Sequence, residues 1–283
     1  MNPVRYTPEF VERGYNNRAA VPEHPEWIAR YATLSAAARE ALAPRLDVRY
    51  GPNPQETMDL FRPAGEPRGT FVFLHGGYWR AFDKRDFSFV APPLVAQGVA
   101  VAVANYDLCP SVGIATIVDE CRRAVAFIAR EGRAHGLASR RIVVGGHSAG
   151  GHLVAMLFAT DWGRLGFARA PIVGGVTLSG VHDLAPMVLA SFNADLKLDA
   201  AEVERLSPVR MRPTIPAPLV MAVGGAETTE FVRQTRILWD AWPENRPAGA
   251  VQPMLVPERH HFSVVVDYTD ADRDLTRRTL ALF

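Results

Sequence analysis

The sequence predicts an α/β fold: a mostly parallel, eight-stranded sheet with helices on both faces and a small helical cover. From about residue 46 onward, short runs rich in β-branched and aromatic residues alternate with longer segments whose apolar residues recur at three- and four-residue spacing. A chain of 283 residues, 48% hydrophobic and 22% charged, has the apolar content to bury one large core. No internal repeat or low-complexity segment interrupts it, so residues 1–283 read as a single unit.

Residues 1–43 read as a largely helical segment ahead of the sheet. The first two strands, LDVRY near 46–50 and MDLFRP near 58–63, flank GPNPQE, whose glycine and prolines suit the turn of an antiparallel hairpin. Six further strands follow: TFVFLHG at 70–76, VAVAVANY at 99–106, RIVVGG at 141–146, PIVGGVTLSG at 171–180, PLVMAVGG at 218–225 and VQPMLVP at 251–257. Helical spacing marks 117–131, 148–160, 228–241 and 270–282, the last with Asp270 and Asp272 where a helix favours acidic residues. The stretch 181–215 is too long for a plain connection and is expected to form a helical cap over one end of the sheet.

Composition narrows the partners. The 31 basic and 30 acidic residues nearly cancel, which argues against nucleic acid or an anionic membrane and for a small-molecule substrate. Cys109 and Cys121 are too few for a disulfide scaffold and lack zinc-site spacing, so both read as buried thiols and no metal is expected. The opening MNPVRYTPEFVERGYNNR is polar where a signal peptide needs an apolar stretch, and no apolar run of 18 residues occurs, so a cytoplasmic location is expected. The sequence is silent on oligomeric state, and a homodimer stays open.

The chemistry is concentrated at Gly146-His147-Ser148-Ala149-Gly150, directly after the strand RIVVGG and before the helical HLVAMLFA. In that strand-turn-helix context the pattern G-x-S-x-G forms a nucleophile elbow, in which flanking glycines make room for a strained central serine. Ser148 would project its hydroxyl at the carboxyl edge of the sheet, near helix N–H groups that favour negative charge. Gly76 and Gly77, in FLHGGYWR, lie where a hydrolase of this order supplies oxyanion donors, joined by the N–H of Ala149 after the nucleophile. Such donors commonly lower a barrier by about 3–4 kcal/mol each.

A base for Ser148 should lie on a loop after the last strand, which leaves His260 and His261 in PERHHFSVV. His24, His135 and His182 read as solvated surface or loop residues, His147 and His152 as positioning residues beside the serine, and His75 as orienting the oxyanion loop. The acid should fall between serine and histidine in chain order, normally in the loop after the seventh strand, where Glu227 stands. Asp183 is the leading substitute, and Glu230 sits too far into the next helix to reach back easily.

Taken together, YNNR at 15–18, HGGYW at 75–79, GHSAGGHL at 146–153, SGVHDLAP at 178–186, LSP at 206–208, ETTEFVRQ at 227–234 and HHF at 260–262 resemble the kynurenine formamidase (arylformamidase) branch of the α/β-hydrolases, itself similar to the hormone-sensitive-lipase-like esterases. The resemblance implies Ser148 as nucleophile, Gly76, Gly77 and Ala149 as oxyanion donors, and His261, which precedes a phenylalanine, as base. The family usually has aspartate, then a small residue and Pro-Glu-Phe, where this chain reads Glu227-Thr228-Thr229-Glu230-Phe231, so the acid is longer by one methylene. The implied reaction is hydrolysis of N-formyl-L-kynurenine to formate and L-kynurenine without a cofactor; a broad carboxylesterase is the alternative. An aromatic substrate would want apolar walls, for which Tyr78, Trp79 and Phe192 are the candidates.

Overall fold

The computed structural model describes residues 6–283. All eight expected strands form: β1 (Arg45–Arg49), β2 (Thr57–Phe61), β3 (Gly69–Leu74), β4 (Val99–Ala104), β5 (Ile142–His147), β6 (Ile172–Leu178), β7 (Leu219–Gly224) and β8 (Met254–Val256). They make one sheet in the order β1-β2-β4-β3-β5-β6-β7-β8. The hairpin β1–β2 is antiparallel and joins β4 antiparallel, and every other pairing is parallel.

Every residue of β3, β4, β5 and β7 is buried, as expected of strands covered on both faces. Alternation along β3 sends Val72 and Leu74 to one core and Phe71 and Phe73 to the other. The first core takes α5 (Ile114–Glu131), α6 (Ala149–Phe158) and α9 (Thr229–Ala241); the second takes α3 (His24–Leu42), α4 (Ala91–Ala96) and α10 (Asp274–Leu280). Around the carboxyl edge lie α1 (Pro8–Tyr15) and α2 (Asn17–Ala20) from the N-terminal segment, and α7 (Asn193–Leu196) and α8 (Ala200–Leu206) from the expected cap stretch. α6 is buried all round and comes so close to β3 that a Cβ on Gly150 would stand 2.0 Å from the Leu74 carbonyl oxygen.

Among the boundaries that differ from expectation, three stand out. The final strand shrinks to Met254–Val256, because Pro253 has no N–H to give a ladder. The sixth strand ends at Leu178, since Ser179 takes φ 53°, outside the extended region. The last helix starts only at Asp274, after a turn in which Asp270 Oδ1 accepts the Asp272 N–H at 2.9 Å. The 3₁₀ turn Lys84–Val90 and the short α4 behind it were not anticipated; both are too brief for periodicity, and Asp83 caps the first through a capping box. Among the described residues no helix is long and apolar enough to cross a membrane.

Candidate active site

β3 and β5 lie side by side at the centre of the sheet, where connections leave in opposite directions, and their carboxyl ends open a crevice. Ser148 sits there between β5 and α6 at φ 57°, ψ −117°, a strained conformation for a residue with a side chain. Its N–H donates to the Leu178 carbonyl at 2.8 Å, which ties the turn to β6. A Cβ on Gly146 would meet the Gly150 carbonyl oxygen at 2.3 Å, so the glycine is what lets the turn close.

Ser148 Oγ lies 3.0 Å from His261 Nε2, and His261 Nδ1 lies 2.6 Å from Glu227 Oε2. The second oxygen of Glu227 accepts from the Ser179 hydroxyl at 2.5 Å and from the Gly224 N–H at 2.8 Å. Three donors thus hold the carboxylate, and the extra methylene of glutamate is taken up without losing contact with the histidine. The left-handed Ser179 turns its hydroxyl to this carboxylate, and nothing in the sequence pattern singled it out. Asp183 instead caps the Ala185 N–H and pairs with Arg210, while Glu230 accepts from the Tyr15 hydroxyl and pairs with Arg233. His260 turns away: its Nδ1 accepts from the Phe262 and Ser263 N–H groups, and its ring meets Trp27 edge-on at 5.0 Å.

The Gly76-Gly77 loop, expected to supply oxyanion donors, lies against the serine, since a Cβ on Gly76 would stand 3.1 Å from Ser148 Cβ. Gly77 has φ 108°, where an added Cβ would run into the Ala81 carbonyl oxygen at 2.2 Å. Among the described residues the N–H groups of Gly76, Gly77 and Ala149 have no backbone acceptor, as the expected oxyanion role requires. His75 is buried behind the loop, stacked on Tyr106 at 4.2 Å with Nδ1 2.8 Å from the Gly76 carbonyl oxygen, and burial lowers its pKa.

His147 packs 4.7 Å from the His261 ring; burial first, and His261 second, push its pKa well below 6.5, so it stays neutral beside the histidine that would carry charge. His152 bonds the Leu206 carbonyl, and burial holds its pKa at about 4. His182, read as a solvated surface or loop residue, does lie in a loop but is not solvated: it is fully buried beside Thr177, and burial takes its pKa down to about 3.

A cavity of about 400 Å³ opens over Ser148 and His261. Tyr78 and Phe192 line it, their rings 4.4 Å apart, with Tyr15, Tyr31, Phe82, Phe87 and Phe262 completing the aromatic wall. Trp79, expected as a third wall, is corrected: it is fully buried with its ring edge-on to His152 at 5.0 Å, away from the cavity. Both Tyr78 and Trp79 have positive φ, 50° and 56°, so the loop turns between them and sends one ring to each side. Glu12, Asn17 and Arg18 also reach this cavity from the N-terminal helices; Asn17 and Arg18 belong to the YNNR block of the resemblance, to which no site role was assigned, and Glu12 was not singled out. Among the described residues, no group of three or more His, Cys, Asp or Glu side chains is placed to hold a metal ion.

The sheet order and the strained serine at the strand-to-helix turn give this chain the α/β-hydrolase fold. A family model described as BD-FAE matches residues 58–164. A kynurenine formamidase of Salmo salar is 31% identical over 246 residues, covering 84% of this chain and 81% of that protein. One from Danio rerio is 28% identical over 253 residues, covering 87% and 84%. Among solved structures, that of a candidate thioesterase from Silicibacter sp. TM1040 is 35% identical with a TM-score of 0.81, over 93% of this chain and 96% of the other. The chain belongs to the kynurenine formamidase family.

Proposed function

We propose that the protein is a serine hydrolase that cleaves an aryl formamide, N-formyl-L-kynurenine, to formate and L-kynurenine. The observation that carries this reading is the continuous hydrogen-bonded path Glu227–His261–Ser148, ending at an aromatic-walled cavity in a chain of this family.

In the first step His261 Nε2 takes the Ser148 proton as Oγ attacks the formyl carbon. Glu227 keeps Nδ1 protonated, so Nε2 is the accepting nitrogen, and stabilises the imidazolium that forms. The oxyanion develops against the amides of Gly76, Gly77 and Ala149, which are in place before the reaction and need no reorganisation. As the intermediate collapses, the C–N bond breaks and His261 gives its proton to the arylamine nitrogen. A water then attacks the formyl-serine, with His261 taking its proton and returning it to Ser148 Oγ as formate leaves.

The test compares kcat/KM of the purified protein for N-formyl-L-kynurenine and for 4-nitrophenyl acetate. The reading expects efficient turnover of the formamide. Cleavage of the ester with no turnover of the formamide would overturn it in favour of a carboxylesterase.

A further inference from the structure

The cavity over Ser148 holds charges that the hydrolytic steps leave unused. Glu12 is the one carboxylate among its lining residues. The Asn16 amide holds Glu12 Oε1 at 2.5 Å and the Ser191 hydroxyl holds Oε2 at 3.2 Å, and each oxygen keeps acceptor capacity. Two guanidinium groups also line the cavity. Arg80 is engaged, paired with Asp195 and set over the Phe192 ring at 5.6 Å. Arg18 is exposed and has no carboxylate within ion-pairing distance among the described residues. Beside it Asn17 is only 6% exposed, and its Nδ2 finds no acceptor among the described residues. Two neighbouring donors without an acceptor, and one acid held open by neutral donors, face the same space as the serine.

The segment that carries them is firmly placed. The Tyr15 hydroxyl donates to Glu230 Oε2 at 2.9 Å and accepts from Gln234 at 2.8 Å, and Tyr78 donates to the Tyr15 carbonyl at 2.6 Å. Asn16 closes α1 and accepts the Ala19 N–H at the start of α2. The backbone that carries both charged side chains is therefore fixed at the edge of the cavity.

We propose that Arg18 with Asn17, and Glu12, form a subsite for an α-amino acid group, the carboxylate on Arg18 and Asn17 and the ammonium on Glu12. This rests on the formamidase reading and adds what selects its substrate: an aryl formamide bearing an amino-acid chain is taken in preference to a plain one. The aromatic ring lies between the Tyr78 and Phe192 side and Phe262, and the zwitterion reaches the N-terminal helices.

The test measures kcat/KM for N-formyl-L-kynurenine, for its desamino analogue 3-(2-formamidobenzoyl)propanoate, and for 2-formamidoacetophenone, which lacks both charges. Arg18→Gln is expected to cut the preference for N-formyl-L-kynurenine over 2-formamidoacetophenone about 10- to 100-fold, mainly through KM, as loss of a charge-assisted contact does. Arg18→Lys is expected to recover part of it. Glu12→Gln should erase the preference for N-formyl-L-kynurenine over the desamino acid while leaving the preference of that acid over 2-formamidoacetophenone. Turnover of the formamides with both preferences unchanged within about threefold in Arg18→Gln and Glu12→Gln overturns the subsite alone. A wild-type enzyme that cleaves 4-nitrophenyl acetate but none of the three formamides overturns the formamidase reading and the subsite with it.

Discussion

Replacing Glu227 by glutamine tests the hydrogen-bond path at its least expected member. The Gly224 N–H is a backbone donor that cannot rotate away, and it bonds Glu227 Oε1 at 2.8 Å, while Oε2 faces His261 Nδ1 at 2.6 Å. In Glu227→Gln the amide oxygen is drawn to Gly224, which aims the NH₂ group at Nδ1 and turns that nitrogen into an acceptor. The imidazole then carries its proton on Nε2 and can no longer take one from Ser148. The reversed amide would restore the tautomer, but it opposes two donors at Gly224, and a buried unpaired N–H costs about 1–3 kcal/mol. The expected loss in kcat is on the order of 10⁴-fold, about 5 kcal/mol of barrier, with KM little changed. Steady-state assay of formate release from N-formyl-L-kynurenine, alongside Asp183→Asn, reads it out. A loss below tenfold in Glu227→Gln, or a larger loss in Asp183→Asn, would refute the assignment.

Other substitutions separate neighbouring roles. His261→Ala should lower kcat by more than about 10³-fold and His260→Ala by less than about tenfold in the same assay, because His260 caps a turn and packs on Trp27. Gly77→Ala should cost at least about 10²-fold in kcat, since the added Cβ must push the Ala81 carbonyl and shift the oxyanion loop; wild-type kcat in that variant would place the donors elsewhere. The buried His182 makes stability depend on pH. It is neutral in the folded protein down to about pH 3, whereas the unfolded chain binds a proton below about pH 6.5. Its contribution is therefore complete above pH 6.5 and is lost as pH falls, about 2 kcal/mol by pH 5. Urea unfolding of wild type and His182→Gln at pH 7 and pH 5 should converge by roughly that amount, and a constant offset would contradict it.

The strands and the serine turn were legible because each is a local pattern: a buried parallel strand needs a continuous apolar run, and the elbow needs glycines at fixed offsets from Ser148. Gly76, Gly77 and Glu227 could be nominated because chain order in this fold restricts where each must lie, whereas it left His260 and His261 both open and only the resemblance chose the histidine before Phe262. Trp79 was misplaced because a wall and a core residue look alike in sequence; only the paired left-handed residues at 78 and 79 decide which ring faces the cavity. His182 was misread for a related reason, since its loop position hid a packed environment that tertiary contacts from Thr177 and Gln234 create. Arg18 and Ser179 lie within the blocks YNNR and SGVHDLAP that carry the resemblance, but their roles, like that of Glu12, could not be read there, because each depends on tertiary geometry that brings separate segments to one site.

The central claim is that Ser148 performs formamide hydrolysis, and Ser148→Ala tests it most directly. Formate release from N-formyl-L-kynurenine should fall by at least about 10⁴-fold while the urea midpoint stays within the error of wild type. Hydrolysis by the folded variant at a rate within tenfold of wild type would contradict it.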